Sequence, residues 1–416
     1  MHKKAILVTC LGTLLEWAEF TFFAYMASQL AELFFPTDEQ DIARFKAYAI
    51  FSISYLVRPL GALLLGALGD KYGRKPAMLA SLILMSSATL GIGLLPTYQT
   101  IGNLAPILLI ALRIIQGIAI ASELNGAAIL ILEQTRKVNH FLAGSFSPCA
   151  AATGMVFGSF AATVTAADWA PSWAWRIPFL LSAIMAFIAL YLRTHMQETH
   201  PFLQALKRNQ LFSQPILAAW KHHRLGMLYT AAFALFMSVY IYIGNIYYKS
   251  MIIHAGYLSQ NSASKIISYS MLLVAILIPI FGIIADKLGG EKVCSIGLFC
   301  ALLGSPLMMS CAPSDSINLI IAGQIFFAIT NAMVSATCFT LMLRNFQTGT
   351  RYSGSSVAWS ISTAIFGGTA LMISEFLVIH LGWLQGPGYY LSLCALLSII
   401  IITIATYNDS IITYKL

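Results

Sequence analysis

Charge is scarce in this chain. Only 10% of its residues are Asp, Glu, Lys or Arg, against about a quarter in a soluble globular domain, and that excludes an ordinary water-soluble fold. Cysteine is nearly as sparse. Seven thiols, at positions 10, 149, 294, 300, 311, 338 and 394, lie in or near apolar runs without a C-x-x-C pair. They offer neither a disulfide framework nor a zinc site, and buried inert thiols are expected. No H-E-x-x-H, G-x-S-x-G or Walker sequence occurs, so neither an enzyme nor a metal or organic cofactor is expected. Lys3 and Lys4 run straight into an apolar stretch without a small-residue cleavage site, so no cleavable signal is expected. No soluble regulatory domain is expected after the last apolar run.

Long apolar runs are abundant. The chain is 58% apolar, and runs of about 20 residues, each enough to cross a bilayer, recur throughout. Twelve spans are expected at 5–31, 46–69, 77–96, 104–133, 140–165, 174–194, 224–248, 264–285, 292–311, 316–343, 352–380 and 388–408. A polar stretch around 195–223, with His195, His200, His222 and His223, reads as a solvated amphipathic linker because no i, i+4 histidine pair occurs. The expected organisation is a six-helix unit at 1–195, a linker at 196–223 and a second six-helix unit at 224–416. With the N-terminus in the cytoplasm, most of the 24 basic residues collect on that side, among them Lys71, Arg74, Lys75, Arg136, Lys137, Arg193, Arg344, Arg351 and Lys415. Asp38, Glu39, Asp41, Arg44 and Lys46 fall outside. This bias explains the net charge of +8 better than a nucleic-acid partner does, and puts both termini in the cytoplasm.

One stretch organises the chain. In residues 61–76, GALLLGALGDKYGRKP, a Gly-spaced apolar helix end stops at Gly69-Asp70 and gives way to a tight basic turn with Gly73, Arg74 and Lys75. Small residues here, Gly66 and Gly69 among them, let a neighbouring helix approach closely. Gly73 permits a turn that other residues resist. The Asp70 carboxylate can meet a helix N-terminus or an arginine, a bond that can be made and broken as helices slide. Residues 282–289, GIIADKLG, repeat the pattern with Asp286 and Lys287, 216 positions after Asp70 and Lys71. Two like-oriented halves follow, and the turn is expected to be a gate at the cytoplasmic end.

Ionisable residues within spans are costly and usually functional. Glu16, Glu19, Arg58, Arg113, Glu123 and Glu375 qualify. Counted by helical rise, Glu16, Arg58 and Glu123 lie roughly 15 to 18 Å from the inner ends of their spans, with Glu19 on the Glu16 face. Three acids and one base at matching depth predict that Arg58 holds one carboxylate charged while a crowded second one exchanges a proton. A static ion-pair network that fixes packing is the other reading. Arg113 falls further out, and Glu375 near the outer end of span eleven. In the second half Tyr240 and Asn331 are expected to face the cavity with Trp359, and Tyr247 and Tyr248 to sit in an interfacial belt.

The G-x-L-G-D-K-Y-G-R-K-P run resembles the loop signature of the major facilitator superfamily. Further motifs resemble its metabolite:proton symporter branch, which includes proline/betaine carriers: Glu16-Trp17-Ala18-Glu19-Phe20, Arg58-Pro59-Leu60-Gly61, Arg113-x-x-Gln116-Gly117, Ser122-Glu123-Leu124-Asn125-Gly126-Ala127, Trp175-Arg176-Ile177-Pro178-Phe179 and Glu198-Thr199-His200-Pro201-Phe202. Ala18, Glu19 and Ser122 depart from the branch pattern, and the chain is similar in size to the related intraphagosomal amino-acid transporters. The resemblance implies an all-α membrane protein of two pseudo-symmetric six-helix bundles around a midplane cavity, in a bacterial inner membrane. It implies proton-coupled uptake of a small zwitterion or organic acid, an amino acid first and a betaine-type metabolite next, by a monomer whose coupling ion is the proton. Proton-driven efflux of a drug-like or siderophore-like compound is the alternative.

Overall fold

The computed structural model describes residues 2–35, 50, 52–135, 139–165, 167 and 169–407. Asp38, Glu39, Asp41, Arg44 and Lys46, the expected first residues of span two, and Arg136, Lys137 and Lys415 lie outside the described residues. Among the described residues, twelve helices are long and apolar enough to cross a bilayer. These are span one, Ala5–Tyr25; two, Ser52–Lys71; three, Arg74–Leu94; four, Leu104–Glu133; five, His140–Thr165; six, Arg176–Thr194; seven, Pro215–Ala255; eight, Gln260–Leu288; nine, Gly290–Ser310; ten, Ile317–Leu343; eleven, Arg351–His380; and twelve, Gly386–Thr406. Helices satisfy their own backbone groups, as the absence of water in a bilayer demands.

Local sequence explains where the helices begin and stop. Pro59, Pro201 and Pro215 each sit in the first turn of a helix, where a missing N–H costs nothing. Ser259 caps span eight, its Oγ accepting from the Ser262 N–H at 3.2 Å. Gly73 (φ 120°) and Gly289 (φ 95°) occupy the left-handed region at the two repeated turns, which a side chain would strain.

Some boundaries differ from expectation. Span one ends at Tyr25, and after a turn at Met26 a separate helix covers Ala27–Phe34. Span seven starts inside the expected linker at Pro215, and a break at His223 (φ −131°, ψ 27°) separates that lead-in from the membrane portion. Spans seven and eleven carry π-helical turns at Tyr242–Tyr247 and Thr363–Gly367. The linker is not simply solvated: it forms a helix, His200–Lys207, with Phe202 and Ala205 buried, because the Phe202 ring packs 5.3 Å from the Arg74 guanidinium. Tyr247 and Tyr248 are buried, not interfacial; the Tyr248 hydroxyl donates to the Ile320 carbonyl on span ten at 3.1 Å.

The halves meet along two seams, span two on span eleven and span five on span eight. At the end away from the basic turns, Ser52 donates to the Gly368 carbonyl at 3.0 Å, the Tyr55 ring meets Tyr242 edge-on at 5.3 Å, and the Ser159 and Ser268 hydroxyls are hydrogen-bonded. The basic end is closed as well, by the contacts described next.

Candidate functional site

At the basic end, Asp70 closes span two against the first turn of span eleven. Its carboxylate accepts from the backbone N–H groups of Tyr352 (3.2 Å) and Ser353 (2.8 Å), the place where a helix holds its positive pole. Gly66 lies against Ser353, and Gly69 against the Tyr352 ring. Arg74 donates to Asp70 at 2.8 Å, to Glu133 at 3.3 Å and to the Thr348 carbonyl at 2.6 Å. Arg351 donates to Glu133 at 2.8 Å, and the Thr199 hydroxyl donates to its other oxygen at 2.6 Å. Two acids and two arginines thus balance in a buried site. Glu198 accepts from the Lys75 N–H at 3.1 Å, and the Lys75 ammonium donates to the Thr194 carbonyl.

The repeat copies the backbone geometry. Asp286, at the end of span eight, accepts from Phe141 N–H (2.9 Å) and Leu142 N–H (3.0 Å) at the start of span five. Asp286 is half-buried and Lys287 exposed. The neighbouring pair is Arg344–Glu291 at 2.6 Å, with side chains 25% and 53% exposed.

The acids of the first half are brought together, but not by Arg58. Arg193 donates to Glu16 at 2.8 Å and to Glu123 at 2.5 Å, and to the Met78 carbonyl at 2.9 Å. Ser81 donates to Glu16 at 2.7 Å and lies 3.5 Å from Glu123, while Thr13 donates to Glu123 at 3.1 Å. Two buried carboxylates therefore share one guanidinium. Depth explains the misplacement. Ser81 is seven residues past Arg74, roughly 10 Å from the basic end by helical rise, so the cluster sits in the basic half of the bundle, within reach of an arginine near the end of span six. Gly12 makes the room, since a Cβ there would overlap the Arg193 guanidinium.

Glu19 stands apart. It accepts from Thr89 at 3.0 Å, Gln116 donates to Thr89 at 2.8 Å, and Arg113 donates to Gln116 at 2.9 Å. Arg113 thus connects to Glu19 only through two neutral side chains, and its guanidinium stacks 4.8 and 4.3 Å from the Phe20 and Phe23 ring centroids. Arg58 lies 3.7 Å from the Tyr55 centroid and 4.7 Å from that of Phe20. Its Nε and Nη2 have no hydrogen-bond partner among the described residues.

Arg58 faces a central cavity of about 60 Å³ lined also by Trp17, Tyr242, Asn331, Phe339 and Trp359, on the order of four to six waters' worth of space at about 10–15 Å³ each. Asn331 accepts from Ser335 at 3.1 Å, and Trp359 packs on Phe339. Glu16, Glu19, Glu123 and Arg113 do not line it. Nor does Tyr240, expected there: it stacks between Phe236 and Phe327 and bonds to the Thr330 hydroxyl, because its face of span seven turns to span ten. Glu375 is partly exposed. Sequence reasoning missed Glu133, Thr199, Arg193 and Arg351, taking the two arginines for cytoplasmic surface charge. The available signals were Gly12, a small residue facing a long cation, and an acid ending span four.

Comparison with known proteins agrees with this architecture. The family model described as Major Facilitator Superfamily matches residues 20–368. The glycine betaine/proline/ectoine/pipecolic acid transporter OusA of Dickeya dadantii is 31% identical over 96% of this chain and 82% of its own. The proline/betaine transporter of Escherichia coli is 30% identical over the same shares. Among solved structures, the proton:xylose symporter XylE superposes with a TM-score of 0.79 at 16% identity, over 97% of this chain and 95% of that one. The human organic anion transporter MFSD10 gives 0.73 at 16%, over 96% and 99%. A family match over most of the length, joined to twelve spans and two seams related by an internal repeat, leaves one conclusion: this chain belongs to the major facilitator superfamily, as a multi-pass membrane transporter related to the proline/betaine carriers.

Proposed function

We propose that the protein imports a small zwitterion with protons across a bacterial inner membrane, its basic end and both termini facing the cytoplasm. The observation that carries this reading is the Glu16–Arg193–Glu123 cluster. One guanidinium cannot neutralise two buried carboxylates, and a lone charge at that depth costs several kcal/mol, so one proton completes the site. Between the cavity and the Asp70 turn, a carboxyl group can load from one side and discharge to the other as rocking switches access.

The cavity narrows the cargo. Arg58 supports binding of a carboxylate. Among the described residues no acid lines the cavity; Trp17, Tyr242, Phe339 and Trp359 do. Aromatic faces attract organic cations, quaternary ammonium above all. A betaine or the secondary ammonium of proline therefore fits ahead of primary amino acids, in keeping with the names of the relatives. So small a cavity favours such a solute over a drug-like or siderophore-like one.

The test is uptake of radiolabelled glycine betaine and proline by purified protein in proteoliposomes under an imposed inward proton gradient. Accumulation is expected. Glu123→Gln and Glu16→Gln, which mimic the protonated state, are expected to include a variant that loses gradient-driven accumulation while retaining exchange of labelled for unlabelled solute. Accumulation in both variants equal to the parent at every pH would place coupling elsewhere, with Arg113 and Glu19 next in line. Absence of any proton-dependent uptake would reject symport.

A further inference from the structure

Tyr352 reaches from the Asp70 turn towards the Glu16–Glu123 cluster. Its backbone N–H is one of the two held by Asp70. Its side chain, fully buried, leaves span eleven and crosses into the first half. A Cβ on Gly69 would fall into its ring, and one on Gly126 would meet its hydroxyl. The two glycines thus form the slot in which it lies. Gly126 is three residues past Glu123 on span four, so the hydroxyl enters within electrostatic range of Glu123, Glu16 and Arg193, beside the Ser122 hydroxyl. Neither hydroxyl makes a well-formed hydrogen bond, and both amide atoms of buried Asn125 lack a partner among the described residues. Buried polar groups with no protein partner are the kind that water satisfies.

We propose that Tyr352 is a plug that seals the Glu16–Glu123 pair from the basic end and leaves its slot only when Asp70 releases span eleven. This rests on the proton-coupling reading above. With the latch closed, the ring fills the slot and separates the carboxyl from the water at the basic end. When span eleven swings away, Tyr352 goes with it, and the polar atoms of Ser122 and Asn125 line a wettable route along which the proton passes from the carboxyl to water. The residue that corresponds to it at the repeated turn is Phe141 of span five, whose N–H is held by Asp286 and whose ring lies against Gly290 of span nine. It makes the same backbone contact without a hydroxyl, and its ring enters the half in which the described residues form no acid cluster.

The test is proton leak without solute, read by a pH dye trapped in proteoliposomes under a potassium diffusion potential. Tyr352→Ala is expected to raise the leak on the order of tenfold, within the range typical of coupling between two sites. Tyr352→Phe keeps the ring and should restore most of the seal. Adding Glu123→Gln to Tyr352→Ala should abolish the extra leak, because the leak runs through that carboxyl. Tyr352→Leu serves if the alanine variant does not fold. A folded Ala or Leu variant as tight as the parent overturns the proposal, and so does a leak that survives Glu123→Gln. Glycine betaine-driven proton uptake by the parent is measured in the same vesicles. Its absence rejects the coupling reading, whereas a leak that depends on Glu123 still supports the plug.

Discussion

The two repeated turns do the same thing with opposite surroundings. Each ends a helix on an aspartate that accepts two backbone N–H groups from the first turn of a helix in the other half, and each turns on a glycine in the left-handed region. Around Asp70 the charges are buried, with Arg74 of span three set against Glu133 of span four. Around Asp286 the signs are exchanged and the pair is partly exposed: Glu291 of span nine faces Arg344, just past the end of span ten. The backbone device is a property of the repeat, while the strength of each latch is a property of its dielectric. A buried ion pair punishes loss of one partner because the survivor keeps its desolvation cost, whereas an exposed pair leaves little behind. The first-half seam is therefore the stiff one, and the acid cluster lies beside it.

That contrast can be broken at four residues. The largest effect is expected from Arg74→Ala, which strips Asp70 of its guanidinium and leaves Arg351 alone to face both acids; it should cost about 3–5 kcal/mol, seen as a large fall in thermal stability of the detergent-solubilised protein. Next is the matched pair Asp70→Asn and Asp286→Asn. Removing the Asp70 charge weakens bonds of about 1.5–3 kcal/mol, so transport should slow markedly while solute affinity, set at the distant cavity, stays nearly constant; Asp286→Asn should slow it less. Equal slowing by both, or a large affinity loss at normal turnover, would erase the proposed distinction. The smallest effect belongs to Glu291→Ala, about 0.2–1 kcal/mol, and added salt should shrink it further.

Much of this was legible in the chain. Span count and the repeat follow from hydropathy and from motif spacing, because a bilayer imposes length and the paired halves impose a copy. The two aspartates could be assigned to helix ends because glycine, acid and basic turn are all local. What failed was depth. Counting from each span's inner end assumes that all inner ends lie in one plane, so it matches Arg58 to acids that belong to Arg193 and leaves Arg193 and Arg351 among the cytoplasmic charges. Rotation failed too: Tyr240 and Tyr248 face span ten, which nothing in their own neighbourhood announces. Contacts across hundreds of positions, such as Arg351 with Glu133, leave no local trace.

The chain joining the halves is fastened at both ends. Thr199 is tied to Glu133, and Gln210 to Phe212 lie against Gly349, next to the start of span eleven. Bundles that rock change the distance between those anchors, and a taut connection would oppose them. The helix His200–Lys207 between them is eight residues long. Drawn out from helical to extended form, each residue gains roughly 1.8 Å, so this short coil stores roughly 14 Å of slack. With only two of its residues buried, little packing opposes its unwinding, and its drawn-out length would set the limit on how far rocking bundles could part.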